Sequence, residues 1–189
     1  MIRYAIADRF ATSADCARWA AEGVDFVQLR DKTMEAGALA AKAREMLAAL
    51  GETTKLLING RADVAAATGA AGVHLTAHAD ELTPAQVRQV FALAGGPQPQ
   101  ISVSCHRLDE VERARDAEAD LILFGPVFEK RIRAEIISEG LGLRALQEAC
   151  ETAQGVLILA LGGVTYENSV ECLKAGASGI AGIRLFAFY

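Results

Sequence analysis

Positive charge is what this sequence has too little of. Its 19 Lys and Arg face 24 Asp and Glu, a net charge of -5. The chain as a whole therefore offers no attractive field to nucleic acid or to an anionic membrane, and any phosphate it binds must be held by local groups. No apolar run approaches the roughly 18 residues of a membrane span. The first strand-like run, residues 3–8, carries no signal-peptide core. Cysteine is sparse too: Cys16, Cys105, Cys150 and Cys172 form no CxxC pair, which argues against a metal or redox motif and for reduced thiols. These absences together predict a cytoplasmic protein. What is present is a large interior: 52% of the 189 residues are hydrophobic and 23% charged, the balance of a globular domain and the opposite of a disordered chain.

Short β-rich runs alternate with Ala-rich amphipathic stretches. Strands are predicted over 4–7, 26–29, 55–58, 72–75, 100–104, 121–124, 156–160 and 179–183. Helices are predicted after Thr12-Ser13, either of which can N-cap, and over 34–50, 108–118, 143–152 and 166–175, the last ending at Gly176. Runs such as Leu121-Ile-Leu-Phe124 and Val156-Leu-Ile-Leu-Ala160 are continuous apolar, as in strands buried on both faces. Strict βα alternation implies a parallel sheet, and eight strands favour a closed (β/α)8 TIM barrel over a doubly wound sheet. One domain over 1–189 is expected. The usual final helix is missing after the eighth strand, so Phe186, Phe188 and Tyr189 are expected to cover the exposed apolar surface or to contact a partner, a second copy included.

Function in such a barrel concentrates where strands end and βα loops begin. The second strand ends Gln28-Leu-Arg-Asp-Lys32, and alternation puts Gln28, Arg30 and Lys32 on one side, as an anion site or as a solvated charged loop. Asn59 can donate and accept hydrogen bonds, although Asn59-Gly60 is also a plain turn, the stronger reading on its own. His74 and His78 have zincin spacing but no intervening Glu and no helix, which argues against zinc. Ser104, Cys105 and His106 end the fifth strand. His106 suits acid/base work because its ordinary pKa is near 6.5, whereas Cys105 and His106 point apart on an extended chain and make a poor nucleophile pair. Loop 129–140, with Lys130, Arg131 and Arg133, suits a mobile lid over an anion or a solvated loop. Gly162 and Gly163 after the seventh strand, with Ala181 and Gly182 in the eighth, sit where such barrels cradle phosphate on backbone N–H groups.

In this order the strand ends resemble the thiamine-phosphate synthase/TenI superfamily over nearly the whole chain. The carriers are Val27-Gln-Leu-Arg-Asp-Lys32, Leu57-Ile-Asn-Gly-Arg-Ala-Asp-Val64, Gly72-Val-His-Leu75, Ser102-Val-Ser-Cys-His106, Ala119-Asp-Leu-Ile-Leu-Phe-Gly-Pro-Val-Phe128 and Leu161-Gly-Gly-Val164. The resemblance implies a small barrel serving thiamine biosynthesis, with a phosphorylated thiazole as substrate and neither nucleic acid nor membrane as partner.

The superfamily has two branches. Its synthases join a pyrimidine diphosphate to a thiazole phosphate and release diphosphate with Mg2+. Their Asn-Asp-Arg supplies a metal carboxylate where this chain has Gly60, their second carboxylate aligns with Asp80 only after a one-residue shift, and their Thr-x-Thr-Lys is replaced by Glu129-Lys-Arg-Ile-Arg133. A departing diphosphate develops charge that Mg2+ must offset, so these departures count against synthase chemistry. The TenI branch isomerises a carboxythiazole phosphate without metal or other cofactor. Asn-Gly-Arg resembles its third-strand motif, and the resemblance maps its catalytic histidine onto His106, expected in a dry cavity beside the glycine amides. Gln28, Arg30, Lys32, Asn59, Ser104 and Lys130 would bind substrate; Gly162, Gly163, Ala181, Gly182 and Arg184 would bind phosphate. Arg184 departs from the family's small residue and would either bond phosphate or point away. The sequence thus favours the tautomerase, with the synthase next and a non-catalytic thiazole-phosphate-binding relative third.

Overall fold

The computed structural model describes residues 1–78, 80–132 and 135–186, leaving aside the side chains of residues 130–138 and of Arg184. Eight parallel strands form a closed barrel in the order β1-β10-β9-β6-β5-β4-β3-β2. They are β1 (Ile2–Ala7), β2 (Phe26–Leu29), β3 (Lys55–Asn59), β4 (Gly72–Thr76), β5 (Gln100–Cys105), β6 (Leu121–Phe124), β9 (Leu157–Leu161) and β10 (Gly179–Gly182). The predicted barrel and all eight of its strands are therefore present. All four residues of β2 and of β6 are buried, which is why those segments read as unbroken apolar or near-apolar runs.

Helices α1 (Ser13–Ala21), α2 (Ala36–Leu50), α5 (Leu108–Asp116), α6 (Gly142–Ala153) and α7 (Ser169–Lys174) match predicted ones. Thr12 caps α1 through a reciprocal bond with Asp15, satisfying two otherwise orphaned N–H groups. Two helices were not predicted: α3 (Ala62–Thr68) and α4 (Pro84–Leu93). α3 is only seven residues long, too short to show a helical period. α4 carried a clear signal, Thr83 with Pro84 at the first turn and Gln86 closing a capping box.

Contacts divide the chain into two compact units, Tyr4–Ile101 and Met1–Arg3 with Ser102–Tyr189. In the first, Leu29, Leu39, Met46, Leu50, Leu57 and Leu75 are almost fully buried; in the second, Phe124, Leu146, Ile158 and Leu159 are. The loop after β6, expected as a mobile lid or a solvated loop, contains an antiparallel pair, β7 (Lys130–Ile132) with β8 (Glu135–Ser138). After β10 comes a 3-10 turn, Arg184–Phe186. Phe186 is fully buried and lies edge-on to Tyr166, with the Arg3 guanidinium 5.5 Å from its ring centre and bonded to the Tyr166 hydroxyl at 2.9 Å. Phe186 thus covers apolar surface, as one expectation had it, and is not offered to a partner. Phe188 and Tyr189 lie outside the described residues.

Candidate active site

In the unit Tyr4–Ile101, four strands each contribute one polar side chain to a single buried network. The Tyr4 hydroxyl donates to Gln28 Oε1 at 3.4 Å and lies 3.5 Å from His74 Nδ1. Gln28 Nε2 donates to Asn59 Oδ1 at 2.9 Å. Gln28 is 1% exposed, Tyr4 0% and His74 4%, while Asn59 is half-buried at the end of β3. Burial, and secondarily the Arg30 charge, push His74 down to about 3, so its imidazole is neutral at physiological pH. His78 is exposed. No group of three or more His, Cys, Asp or Glu among the described residues is placed to hold a metal.

Arg30 and Lys32 are exposed just past β2. Between them Asp31 is gripped by Arg9 from the loop after β1: Nη2 reaches Asp31 Oδ1 at 2.6 Å and Nε reaches Oδ2. Asp31 also accepts the backbone N–H groups of Thr33 and Met34 at 2.9 and 3.0 Å. The Arg9 bond, and then these N–H groups, hold its carboxyl well below the usual carboxylate range. The clamp fixes the loop that carries the exposed Arg30 and Lys32.

Gly60 has φ +66, the left-handed turn that Asn-Gly predicts. A β-carbon built on it would lie 3.7 Å from Glu81 Oε1 and 4.0 Å from Oε2. Thr76, at the end of β4, donates to Glu81 Oε2 at 3.2 Å. A carboxylate from the next loop thus occupies the neighbourhood where a side chain on residue 60 would project. Asp80 is exposed.

In the unit containing Ser102–Tyr189, the His106 ring is pinned by a short bond from Nδ1 to the Gly125 carbonyl. A carbonyl only accepts, so Nδ1 carries the proton and Nε2 is left as the basic nitrogen. The ring does not sit in the expected dry environment: His106 is exposed, one residue past β5, at the start of the loop into α5. Its backbone N–H is tied to Glu110 Oε2 at 2.6 Å. Cys105 is buried and its thiol is pushed up to about 12, chiefly by that burial, which keeps it protonated and a poor nucleophile beside His106. Ser104 is half-buried.

Gly162 and Gly163 have a packing reason beyond any ligand. β-Carbons there would come within 2.5 Å of Pro126 Cα and 2.7 Å of Phe128 Cβ. Their carbonyls accept from Phe128 N–H at 3.0 Å and from the Asn168 side-chain amide at 3.0 Å. Ala181 is buried and Gly182 half-buried, so from these two only backbone can meet a ligand. The side chains of Lys130 and Arg184 lie outside the described residues.

Sequence reasoning missed Tyr4, the clamp from Arg9 and the position of Glu81. A signal existed for Arg9, an exposed cation at a strand end; none marked Tyr4 as more than core.

Residues 4–186 match the family described as "Thiamine monophosphate synthase" (TMP-TENI). The chain is 36% identical over 166 residues to "Putative thiamine-phosphate synthase 2" of Aquifex aeolicus, covering 87% of this chain and 84% of that protein. It is 36% identical over 171 residues to "Thiamine-phosphate synthase" of Methanoregula boonei, covering 89% and 75%. A solved "Thiamine phosphate pyrophosphorylase from Pyrococcus furiosus" superposes with TM-score 0.80 at 25% identity, over 98% of this chain and 88% of that one. With its barrel, its strand-end residues and these matches in agreement, the chain belongs to the thiamine monophosphate synthase (TMP-TENI) family.

Proposed function

We propose that this chain acts in thiamine biosynthesis on a phosphorylated thiazole, joining it to an activated pyrimidine with release of diphosphate. The relatives' names support this reading ahead of the tautomerase favoured by sequence alone. The observation that carries it is the Glu81 carboxylate beside Gly60, which answers the strongest sequence objection, the lost metal carboxylate.

Mg2+ is commonly bound through one or two carboxylates plus substrate phosphates rather than by an all-protein cage. Glu81, oriented by Thr76, fits that role, and Mg2+ held there would offset the charge on a leaving diphosphate. Arg30 and Lys32 add fixed positive charge for the same anion. The carbon–oxygen bond to diphosphate breaks with its electron pair leaving on oxygen, and the thiazole ring nitrogen supplies the pair for the new bond to that same carbon of the pyrimidine fragment. Within the unit Tyr4–Ile101, Gln28 and Asn59 are assigned to the pyrimidine fragment; in the other unit Ser104 is assigned to substrate. In that same unit, backbone at Gly162, Gly163, Ala181 and Gly182 is assigned to the thiazole phosphate. Diphosphate release from the two substrates, measured against Mg2+ concentration, tests this; release indifferent to Mg2+ and to Glu81→Gln would contradict it.

A second reading, isomerisation of a carboxythiazole phosphate, is favoured by the His106–Gly125 bond. That bond fixes one tautomer with a basic Nε2, which could remove a ring proton and return it elsewhere. The exposure of His106 counts against it, since water competes for the proton. It is tested by following proton exchange and tautomer conversion without metal.

A further inference from the structure

The loop after β2 places a carboxylate, Asp31, between two exposed cations, Arg30 and Lys32. Asp31 Oδ1 has a local task. It accepts the backbone N–H groups of Thr33 and Met34 at 2.9 and 3.0 Å and the Thr33 hydroxyl at 3.0 Å, a turn that a neutral Asn oxygen makes as well. The carboxylate brings a charge besides, and that charge works against any anion drawn to Arg30 and Lys32. Arg9 meets it. Parallel register pairs Ala7 with Leu29, and the Arg30 N–H donates to the Ala7 carbonyl at 2.8 Å. Continuing that register past both strand ends sets Arg9 opposite Asp31. Arg9 Nη2 donates to Oδ1 at 2.6 Å and to the Thr33 hydroxyl, while Nε donates to Oδ2. The Asp31 side chain is 6% exposed against 40% for Arg9. Little water therefore screens the carboxylate, and the guanidinium is its main compensation.

We propose that Arg9 is a positioning residue for anion binding: by holding and neutralising Asp31, it leaves the positive charge of Arg30 and Lys32 available to a phosphorylated ligand. The inference rests on the proposed function only in taking Arg30 and Lys32 to face the diphosphate. The two oxygens of Asp31 divide the work. Oδ1 gathers the loop's own donors, and Oδ2 meets Arg9. Asp31→Asn therefore keeps the turn and removes the charge. Arg9→Met does the reverse, leaving a shielded carboxylate with its charge uncompensated beside the two cations. In the double variant the clamp is gone but the charges cancel again, as they do in the wild type. A role through charge and a role through loop shape thus make opposite predictions for the double variant.

The experiment is calorimetry of inorganic diphosphate on the intact protein, without Mg2+ so that Glu81 stays out of the comparison. At about 0.01 M salt, Arg9→Met is expected to bind diphosphate about three- to tenfold more weakly than wild type. Asp31→Asn should bind as tightly as wild type or more so, and the double variant should return to within about twofold of wild type. Raising salt to about 0.15 M shortens the Debye length from about 30 to about 8 Å, and the deficit of Arg9→Met should shrink with it. A double variant as weak as Arg9→Met, or a deficit indifferent to salt, would mark a merely structural clamp and overturn the proposal. So would weaker binding by Asp31→Asn, or no binding by wild type at low salt. If Arg9→Met does not fold, Asp31→Asn beside wild type decides. Diphosphate release from the two substrates is scored separately. The expected order of affinities without that release defeats the functional reading alone; release without the order defeats this inference alone.

Discussion

The carboxylate of Glu81 stands 3.7 Å from the point where a β-carbon on residue 60 would be, and Gly60 holds φ +66 beneath it. A glycine and a carboxylate five residues past a neighbouring strand end thereby share one small volume. The relationship makes Glu81 replaceable by logic as well as by test: its charge matters where residue 60 has none.

Glu81→Gln keeps the shape and removes the charge. Mg2+-dependent diphosphate release is expected to fall by at least tenfold, while the melting temperature moves by no more than a few degrees because Glu81 is only half-buried. Gly60→Asp is the complementary change. The site has ordinary van der Waals room for it, and the left-handed backbone costs about 1 kcal/mol for an Asp. Tighter Mg2+ dependence with a small loss of stability, read by activity titration and thermal melting, is the expected pair.

His106→Asn separates the two chemistries. If isomerisation occurs, it should drop by about 10²–10⁴-fold with thiazole phosphate binding kept. The joining reaction should change only a few-fold. A drop of the larger size in diphosphate release would place the imidazole in the joining reaction, against the roles assigned above.

Gly162→Ala would drive a β-carbon to 2.5 Å from Pro126 Cα, backbone that cannot swing away, at φ +90. A loss on the order of 3–5 kcal/mol is expected, a fall in melting temperature of roughly 10 °C. Gly37→Ala, in the first turn of α2 with nothing within 4 Å, should instead stabilise by about 0.5 kcal/mol. Thermal denaturation of the two variants beside wild type checks both signs.

His74 makes stability depend on pH in a definite sense. Its folded value, about 3, lies below the ordinary 6.5, so between these limits the unfolded chain binds a proton that the native chain does not. Stability from this residue is complete above pH 6.5 and is lost as pH falls toward 3. Urea midpoints at pH 7 and pH 5 should differ more for wild type than for His74→Asn, which does not titrate. Identical shifts would show that His74 is not buried neutral.

Much of this was legible beforehand, and the reasons differ by residue. Strands buried on both faces advertise themselves as apolar runs, so the barrel followed from sequence. Gln28 and Arg30 were recoverable from period-two alternation, and Asn59 from its place at a strand end. Tyr4 was not: it looks like any core aromatic, and only the parallel register that sets Tyr4 opposite Phe26 and Ile6 opposite Gln28 brings its hydroxyl to the Gln28 amide. Glu81 was invisible because a turn, not a periodic element, carries it back over Gly60. The antiparallel pair β7 and β8 was read as a mobile lid or solvated loop because three- and four-residue strands are too short for alternation to register. His106 was placed correctly past β5, but one residue into a loop suffices to expose a ring that strand geometry would have turned inward.

One assay bears most directly on the proposed activity. The isolated protein is given thiazole phosphate and the pyrimidine diphosphate, with and without Mg2+, and diphosphate is measured for wild type and Glu81→Gln. The prediction is release that needs both substrates and Mg2+ and collapses in the variant. No release at saturating Mg2+, with carboxythiazole phosphate isomerised by the same preparation and that turnover lost in His106→Asn, would contradict it.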